Sequence, residues 1–350
     1  MNDLLAHLKM TSPVILVTGS YPPEVCGVGD YVQKLSESLE AKRHRVKIFH
    51  KSGWSIRYLV RYLKEIKENC PQIIHFQYPT EGYGYSFLPM LLMLFLPGER
   101  IIITIHEYSS RTFKARVFTF FMILMARVVI VTNEEEKIFI KQNFLLRRKD
   151  IEVINIGSNI LASTESDKPF MNRQVDIAYF GHIRPIKGLE GFLDCIEKIR
   201  MAAGASINVC IIGQTIPKYQ SYFEGIKMRA EKLGISFILN GSQNDTAVNL
   251  SNCKIVYLPF IDGVSARRGS LAAAAMNGCV VISTFSRSGL VNDFFEKYCY
   301  LVRDNNEAVI LTRTLLNGDS LPRRASELAT FFSWGSIADR HIEIYDKLLN

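Results

Sequence analysis

The chain has 350 residues, which is enough for about two domains of ordinary size. Hydrophobic residues make up 48% of it, enough for sizeable cores, and the charged fraction of 22% is ordinary for a soluble chain. The formal net charge of +8 leaves three kinds of partner open: nucleic acid, an anionic membrane surface, or a phosphorylated small molecule.

The seven cysteines form no CxxC pair, and most lie in or beside apolar runs, which predicts buried free thiols in a reducing compartment. The start, MNDLLAHLKM, lacks the apolar run of a signal peptide. The most apolar stretch, residues 87–96, is well short of the ~20 residues that span a bilayer. We therefore expect a cytoplasmic protein, one that could still rest on the inner face of the cell membrane.

Strands and helices are predicted to alternate along the N-terminal half. Val14–Val17 is an all-apolar run followed by a glycine, as is typical of a buried parallel strand. Further strands are predicted at residues 45–50, 73–77, 101–105 and 128–132, and helices at residues 30–39 and 59–66. Repeated alternation of this kind favours a doubly wound parallel sheet.

The same alternation restarts in the second half, after a polar stretch at residues 157–173 with the composition of an interdomain linker. Strands are predicted at residues 175–180, 207–212, 236–239, 254–258 and 280–283, and one amphipathic helix at 333–349. The sequence therefore predicts two α/β domains of similar size with a cleft between them.

Two short segments of the first domain have the positions of ligand-binding residues. Gly27 and Gly29 open the helix after the first strand, where glycines allow a ligand close to the backbone, although turn geometry alone also explains them. The segment is not GxGxxG, which disfavours a dinucleotide site. His106 follows a buried strand at the carboxyl edge of the sheet, as a ligand-binding or a capping residue, whereas His75 lies inside a strand and is expected to be a core histidine.

Two basic segments in the second domain favour an anion. His182, Arg184 and Lys187 are predicted in the loop after its first strand, where they suit a phosphate or diphosphate unless they are simply solvated. The segment DGVSARRGSL places Arg267, Arg268, Gly269 and Ser270 at the start of a helix predicted at residues 271–276, with Ser270 as its N-cap. Helix amides and two guanidinium groups would form an anion site there, unless the arginine pair is simply solvated.

Five segments, in order along nearly the whole chain, resemble the family-4 glycosyltransferases of the GT-B fold: PPEVCGVGDYVQKL, IHEY, VINIGSNI, FGHIRPIKGL and FSWGSIADRHIEIYDKLL. The resemblance implies two Rossmann-like α/β domains, residues 1–160 and 161–330, that face each other across a cleft. Residues 331–350 would form a helix that crosses back to the N-terminal domain.

The resemblance also implies an activity: metal-independent transfer of a sugar, with retention, from a nucleotide diphosphate sugar to a hydroxyl acceptor. The donor would bind the C-terminal domain and the acceptor mostly the N-terminal one, without a cofactor. Gly27 and Gly29 match the glycine loop against the donor phosphates, His106 the histidine near the transferred sugar, and Lys187 the phosphate lysine. The acceptor favoured by the resemblance is a saccharide or lipid-linked saccharide in the assembly of a bacterial surface polysaccharide or glycolipid.

The sequence departs from the family pattern at two places. The arginine expected five residues before Lys187 is His182, and Arg184 would take over its role. The family's two glutamates, seven residues apart, align with Ser265 and Ala273, or with Asp262 after a short insertion, and neither register gives a second acid.

The resemblance therefore implies a variant site. Its catalytic residues would be His106 and Asp262, with Asp262 gripping sugar hydroxyls, and its substrate-binding residues Gly27, Gly29, His182, Arg184, Lys187, Ser265, Arg267, Arg268 (favoured as the inward arginine), Gly269 and Ser270.

The sequence also leaves other functions open. A nucleotide-sugar epimerase needs acids and a histidine around the sugar, and a phosphorylase of this fold needs a longer chain. A degenerate, non-catalytic scaffold subunit is supported only by the missing second glutamate. Nucleic-acid binding is least favoured, because the basic residues are spread over many elements and no recognised motif is present. Basic helices beside the apolar runs of the N-terminal domain predict weak binding to an anionic membrane, unless those runs are simply buried helices that pack on the sheet.

Overall fold

The computed structural model describes residues 13–24, 26–146, 148–203, 207–318 and 326–349, so the segment MNDLLAHLKM lies outside the described residues. The chain divides into two compact units. The N-terminal unit runs to Gly157 and takes in the end of the chain from Trp334, and the C-terminal unit is Ser158–Ser333. Each unit contains a parallel sheet flanked by helices, which is the α/β class that the alternation of strands and helices predicts.

The sheet of the N-terminal unit has six described strands in the order β2-β1-β3-β4-β5-β6, all parallel to their neighbours. They are β1 Val14–Thr18, β2 Val46–His50, β3 Ile73–Tyr78, β4 Ile101–Ile105, β5 Val128–Val131 and β6 Ile151–Val153. Every residue of β1, β3, β4 and β5 is buried, as expected for strands covered by helices on both faces.

Helices cover both faces of this sheet: α1 Gly27–Ala41, α2 Leu59–Glu68, α3 Leu88–Phe95, α4 Phe113–Met125, α5 Glu134–Lys141 and the C-terminal helix Trp334–Leu349. The C-terminal helix packs beside α1, where Trp334 and Ile337 join Tyr31 and Leu35 in one hydrophobic cluster. Gly157 permits this packing, because a Cβ there would lie 2.5 Å from the Trp334 ring. The last helix therefore belongs structurally to the N-terminal unit.

The two most apolar helices, α3 and α4, are buried on one side only. Met122 and Ile123 of α4 are fully buried in the core. The opposite side of α4 exposes Phe113, Val117, Phe121 and Leu124, at the spacing of one helical face, and α3 exposes Leu94 and Phe95. The apolar runs are thus neither wholly buried nor long enough to span a bilayer. Among the described residues no helix is both long and apolar enough to cross a membrane.

The sheet of the C-terminal unit has six described parallel strands in the order β12-β11-β10-β7-β8-β9. They are β7 Val175–Ile183, β8 Val209–Thr215, β9 Ser236–Leu239, β10 Cys253–Leu258, β11 Val280–Thr284 and β12 Tyr300–Val302. Its helices are α6 Leu189–Ala203, α7 Gln220–Lys232, α8 Gln243–Ser251, α9 Gly269–Met276, α10 Asn292–Phe295, α11 Asn305–Leu316 and α12 Ser326–Phe332. The order reverses between β7 and β10, and ligands of doubly wound sheets bind at such a point.

Two local predictions in this unit are wrong. His182 lies in the strand and not in the loop after it, because β7 continues to Ile183 and His182 pairs with Gln214 of β8. Ser270 is not the N-cap of α9, because the helix begins at Gly269 and the extended backbone that a cap requires is that of Arg268. Ser270 therefore lies inside the first helical turn.

The segment predicted as a linker is packed against the C-terminal unit from Ser158 onward. Arg173 is only 4% exposed and donates hydrogen bonds to the carbonyl groups of Lys168, Cys253, Asn277 and Ser166. Backbone carbonyls thus satisfy a buried guanidinium group that has no carboxylate partner among these contacts. A polar composition is therefore no sign of a free linker here.

The cysteines agree with the prediction of free thiols. All seven are unpaired, six are buried, and Cys70 alone is exposed. Within the described part of the chain no group of three or more His, Cys, Asp or Glu side chains is arranged to hold a metal ion.

Candidate functional site

The sheet order of the C-terminal unit brings its two basic segments together. Strands β7 and β10 are parallel neighbours, with Ile177 paired to Ile255. Their carboxyl ends therefore share one edge, so the loop after β7, with Arg184 and Lys187, lies beside the loop after β10, with Asp262 and Arg268. Neither loop indicates this proximity by itself, since they are more than 70 residues apart in the chain.

A glycine contact holds the two loops against each other. Gly188 has φ +81°, and a Cβ on it would lie 2.0 Å from the carbonyl oxygen of Pro259, the residue after β10. Only glycine allows both the backbone angle and the close approach. The hydroxyl of Tyr179, in β7, donates a hydrogen bond of 3.1 Å to the carbonyl of Lys187 and so holds the same loop. Ile186, in the same loop, has a left-handed backbone conformation with φ +70°, and this strain must be supported by the surrounding contacts.

The joined loops form a cluster of positive charge. Burial lowers the pKa of Lys187, and the nearby Arg184 and Arg268 lower it further, against the opposing effect of Asp262. Burial also lowers the pKa of His182, and Lys187 and Arg184 lower it further. Each shift disfavours the cationic form, because like charges have been brought together away from water. A bound anion would relieve this repulsion.

Arg268 is the inward member of the arginine pair, and Arg267 is exposed. The guanidinium group of Arg268 forms an ion pair with Asp262 and lies 4.6 Å from the centroid of the Phe260 ring. The Nε atoms of Arg268 and Arg184 are buried, and neither has a hydrogen-bond partner among the described residues. Both guanidinium groups therefore retain donor capacity for a ligand.

The remaining predicted residues of this unit lie around the same cluster. Asp262, expected to grip sugar hydroxyls, is engaged by Arg268, although about two thirds of its side chain is exposed. Ser265 accepts a backbone hydrogen bond of 3.2 Å from Arg268. Gly269 and Ser270 form the first turn of α9, whose N–H groups carry the positive end of the helix dipole.

In the N-terminal unit, the predicted glycines open α1. A Cβ on Gly29 would lie 3.2 Å from the carbonyl oxygen of Ser20, so this glycine has a packing reason to be small. A Cβ on Gly27 would meet no described atom within 4 Å, so packing does not require a glycine there. Close approach of a ligand remains the physical reason offered for Gly27.

His106 lies at the carboxyl end of β4, as predicted, and is half-buried. Its Nε2 is 2.9 Å from Oε1 of Gln77, and its ring packs edge-on against Tyr31 with the centroids 4.8 Å apart. Its backbone N–H donates to the carbonyl of Tyr78, the last residue of β3. Contacts from two elements, β3 and α1, thus hold His106 in place.

Sequence reasoning missed two residues beside His106. Gln77 is fully buried in β3, one residue before the strand ends, and contacts the imidazole directly; its signal is a polar residue near the end of an apolar strand. Glu136 is a buried carboxylate that accepts hydrogen bonds from the N–H and hydroxyl of Ser109, so it anchors the loop after His106. Nothing in its own segment, a helix that starts with three glutamates, distinguishes the buried one.

Comparisons with known proteins concern the whole chain. No protein-family model matches the sequence, and no curated protein matches it. Similar solved structures include the sucrose-phosphate synthase of Thermosynechococcus elongatus, 16% identical with a TM-score of 0.65, covering 97% of this chain and 99% of that one. A glycosyltransferase of Rickettsia africae is 15% identical with a TM-score of 0.70, covering 97% and 99%. Anabaena HepE, in complex with UDP and glucose, is 13% identical with a TM-score of 0.63, covering 96% and 100%.

At these identities the likeness shows the fold alone. The chain has the α/β GT-B fold, with two Rossmann-like units, and the predicted fold class is confirmed. The similarity extends over nearly the full length of each of these three structures.

Replacing Gly188 tests whether the two loops depend on the contact with Pro259. We expect Gly188→Ala to lower the free energy of unfolding by about 1–3 kcal/mol more than Gly289→Ala, because overpacking adds to the backbone strain. Gly289 is the matched control, since it is also left-handed (φ +72°) but a Cβ on it would meet no described atom within 4 Å. Urea denaturation measures both variants. Equal losses would show that the contact contributes nothing.

Proposed function

We propose that the chain is a glycosyltransferase that moves a sugar from a nucleoside-diphosphate sugar to a hydroxyl group of an acceptor. The observation that carries this proposal is the cationic cluster of Arg184, Lys187 and Arg268, which faces one carboxylate at the sheet edge where ligands bind. A diphosphate matches such a cluster in charge, and guanidinium forks match phosphate in geometry. The GT-B fold supports it, and the similar Anabaena HepE is a complex with UDP and glucose.

The cluster suits departure of the diphosphate. Negative charge grows on the leaving phosphate as the bond to the sugar breaks, and fixed positive groups stabilise that charge. Arg268 would exchange its exposed partner, Asp262, for the phosphate, which would free the carboxylate for a sugar hydroxyl. The buried Nε atoms of Arg184 and Arg268 and the amides of the first turn of α9 would add hydrogen bonds.

We propose retention at the anomeric carbon without a metal ion, with the donor on the C-terminal unit and His106 of the N-terminal unit near the transferred sugar. The acceptor would be a saccharide or a lipid-linked saccharide of a bacterial surface polysaccharide or glycolipid. A donor-hydrolysis and transfer assay with a panel of nucleotide sugars tests the activity, and thermal shift with UDP, GDP and ADP identifies the base.

The exposed face of α3 and α4 supports a location for such an acceptor. Six apolar side chains of these helices are solvent-exposed, and exposed basic residues accompany them: Lys114 of α4, and Arg61, Lys64 and Lys67 of α2. An apolar strip with lysines and arginines suits the surface of an anionic membrane, because the apolar groups enter the lipid while the cations meet its headgroups. We propose peripheral binding through this face.

Removing a cation of the cluster should weaken binding of the diphosphate. We expect Lys187→Ala and Arg268→Ala each to cost ~1.5–3 kcal/mol in binding of a nucleoside diphosphate, the value of a charged hydrogen bond, with little effect on the nucleoside. Isothermal titration calorimetry measures both ligands, and Lys297→Ala, which removes an exposed lysine of the same unit, is the control. Undiminished affinity in both variants would refute the assignment of the donor site.

Removing the imidazole should affect transfer and leave donor binding intact. We expect His106→Ala to lower turnover on the order of 10²-fold, within the range for a group that acts on the reacting atoms. Circular dichroism and nucleotide affinity should remain those of the parent. Turnover equal to the parent's would make His106 a strand-end residue with a structural role only.

Vesicle sedimentation tests the membrane surface. We expect salt-reversible pelleting with anionic vesicles and none with neutral ones, since each basic residue near the surface contributes ~1 kcal/mol. Charge reversal of Arg61, Lys64, Lys114 and Arg116 should abolish it. Phe121→Ser should weaken it, whereas Ile310→Ser, which alters an exposed apolar residue of the C-terminal unit, should not. Failure to pellet at low salt, or pelleting that survives charge reversal, would exclude this role.

A further inference from the structure

A buried chain of polar side chains runs through the N-terminal unit from the C-terminal helix to His106. Its inner members are fully or almost fully buried: His75 and Gln77 of β3, Thr104 of β4 and Tyr345 of the C-terminal helix. The strands β3 and β4 are adjacent in the sheet, and the C-terminal helix covers one face of it. Polar groups in such a place cost stability unless they are paired, so each contact constrains the next.

The distances define the chain. Nδ1 of His75 is 2.8 Å from the Tyr345 hydroxyl, and its Nε2 is 2.7 Å from Oγ1 of Thr104 and 3.2 Å from Nε2 of Gln77. The other end of the same amide, Oε1 of Gln77, is 2.9 Å from Nε2 of His106. Gln77 therefore joins the two imidazoles through opposite ends of one amide group.

The donors and acceptors of these hydrogen bonds point the same way along the whole series. The Gln77 nitrogen can only donate, so the Nε2 atom of His75 that faces it is an acceptor. Burial lowers the pKa of His75 far below its usual value, and the neutral ring then carries its single proton on Nδ1, from which it donates to Tyr345. The Gln77 oxygen can only accept, so His106 donates to it from Nε2.

We propose that Gln77 is a positioning residue that holds His106 in the Nε2–H tautomer, and that Tyr345 of the C-terminal helix sets this direction through His75. The tautomer decides which face of the imidazole donates and which accepts, and hence what His106 offers a sugar hydroxyl. This kinetic consequence rests on the proposed function; the tautomer itself does not.

We call the hydrogen-bonded series Tyr345, His75, Gln77 and His106 the relay. It predicts that a change at Tyr345 alters the tautomer of His106. In Tyr345→Phe the Nδ1–H group of His75 loses its acceptor, so the proton moves to Nε2, where the Thr104 hydroxyl and a turned Gln77 amide can accept it. The turned amide presents its nitrogen to His106, whose Nε2 must then accept, and the proton of His106 moves to Nδ1. One hydroxyl removed from the last helix thus reverses the tautomer of a residue that it does not contact in this chain of bonds.

The tautomer of each histidine can be observed by long-range proton–nitrogen NMR of the ligand-free protein labelled with ¹⁵N at its histidines. The spectrum of His106→Gln identifies the signal of His106, because that signal is missing from it. We expect Nε2–H in the parent, Nδ1–H in Tyr345→Phe and a mixture in the nearly isosteric Gln77→Met. Tyr62→Phe is the control and should leave Nε2–H, because it removes one buried hydroxyl of the same unit, bonded to the Gly53 carbonyl, outside the relay.

The inference is overturned if His106 carries its proton on Nδ1 in the parent. It is also overturned if the tautomer is the same in the parent, Tyr345→Phe and Gln77→Met. If Tyr345→Phe does not fold, the parent and Gln77→Met spectra still decide. In the transfer assay we expect turnover of Tyr345→Phe and Gln77→Met to fall about ten-fold, the rate equivalent of one hydrogen bond, with donor KM unchanged. No turnover by the parent with any donor would refute the proposed function, while the tautomers would still test the relay.

Discussion

Parallel strands that are buried on both faces leave their carboxyl ends as the places where polar side chains can gather. Both units follow this constraint. In the C-terminal unit the edge holds Arg184, Lys187 and Arg268, and in the N-terminal unit it holds His106. The sheets thus supply rigid supports, while the residues proposed to act on substrate occupy the ends of strands and the loops after them.

The two edges are stabilised in different ways. The cationic edge depends on backbone packing, because Gly188 lies against the Pro259 carbonyl and the like charges would otherwise separate. The histidine edge depends on a buried polar network, in which Gln77 and His75 have partners at both ends. The cationic edge keeps like charges close together, and a bound anion would reduce their repulsion. The histidine edge keeps the proton of His106 on one ring nitrogen.

Much of the fold could be predicted from local patterns. Apolar runs such as Ile101–Ile105 identify buried strands, and the alternation with helices indicates parallel sheets. The errors occurred where something other than the local residue pattern decides the outcome: a distant strand in one case and the conformation of a loop in the other. Strand β7 extends to Ile183 because β8 pairs with it, and the cap of α9 is Arg268 because the loop before it, not the serine's propensity, sets the backbone.

The sequence by itself determined which chemistry was available: basic segments after two strands, a histidine at a strand end, and a missing second acid. Tertiary structure alone decided which of these groups meet. Strand order placed the loops of Lys187 and Arg268 side by side, and the conformation of the loop after β10 paired Asp262 with Arg268. It also connected Tyr345 to His106 through two buried residues, a relation across more than 200 residues. The physical reason is that residue type and local period are properties of a segment, whereas charge proximity and hydrogen-bond direction are properties of pairs that only the folded chain creates.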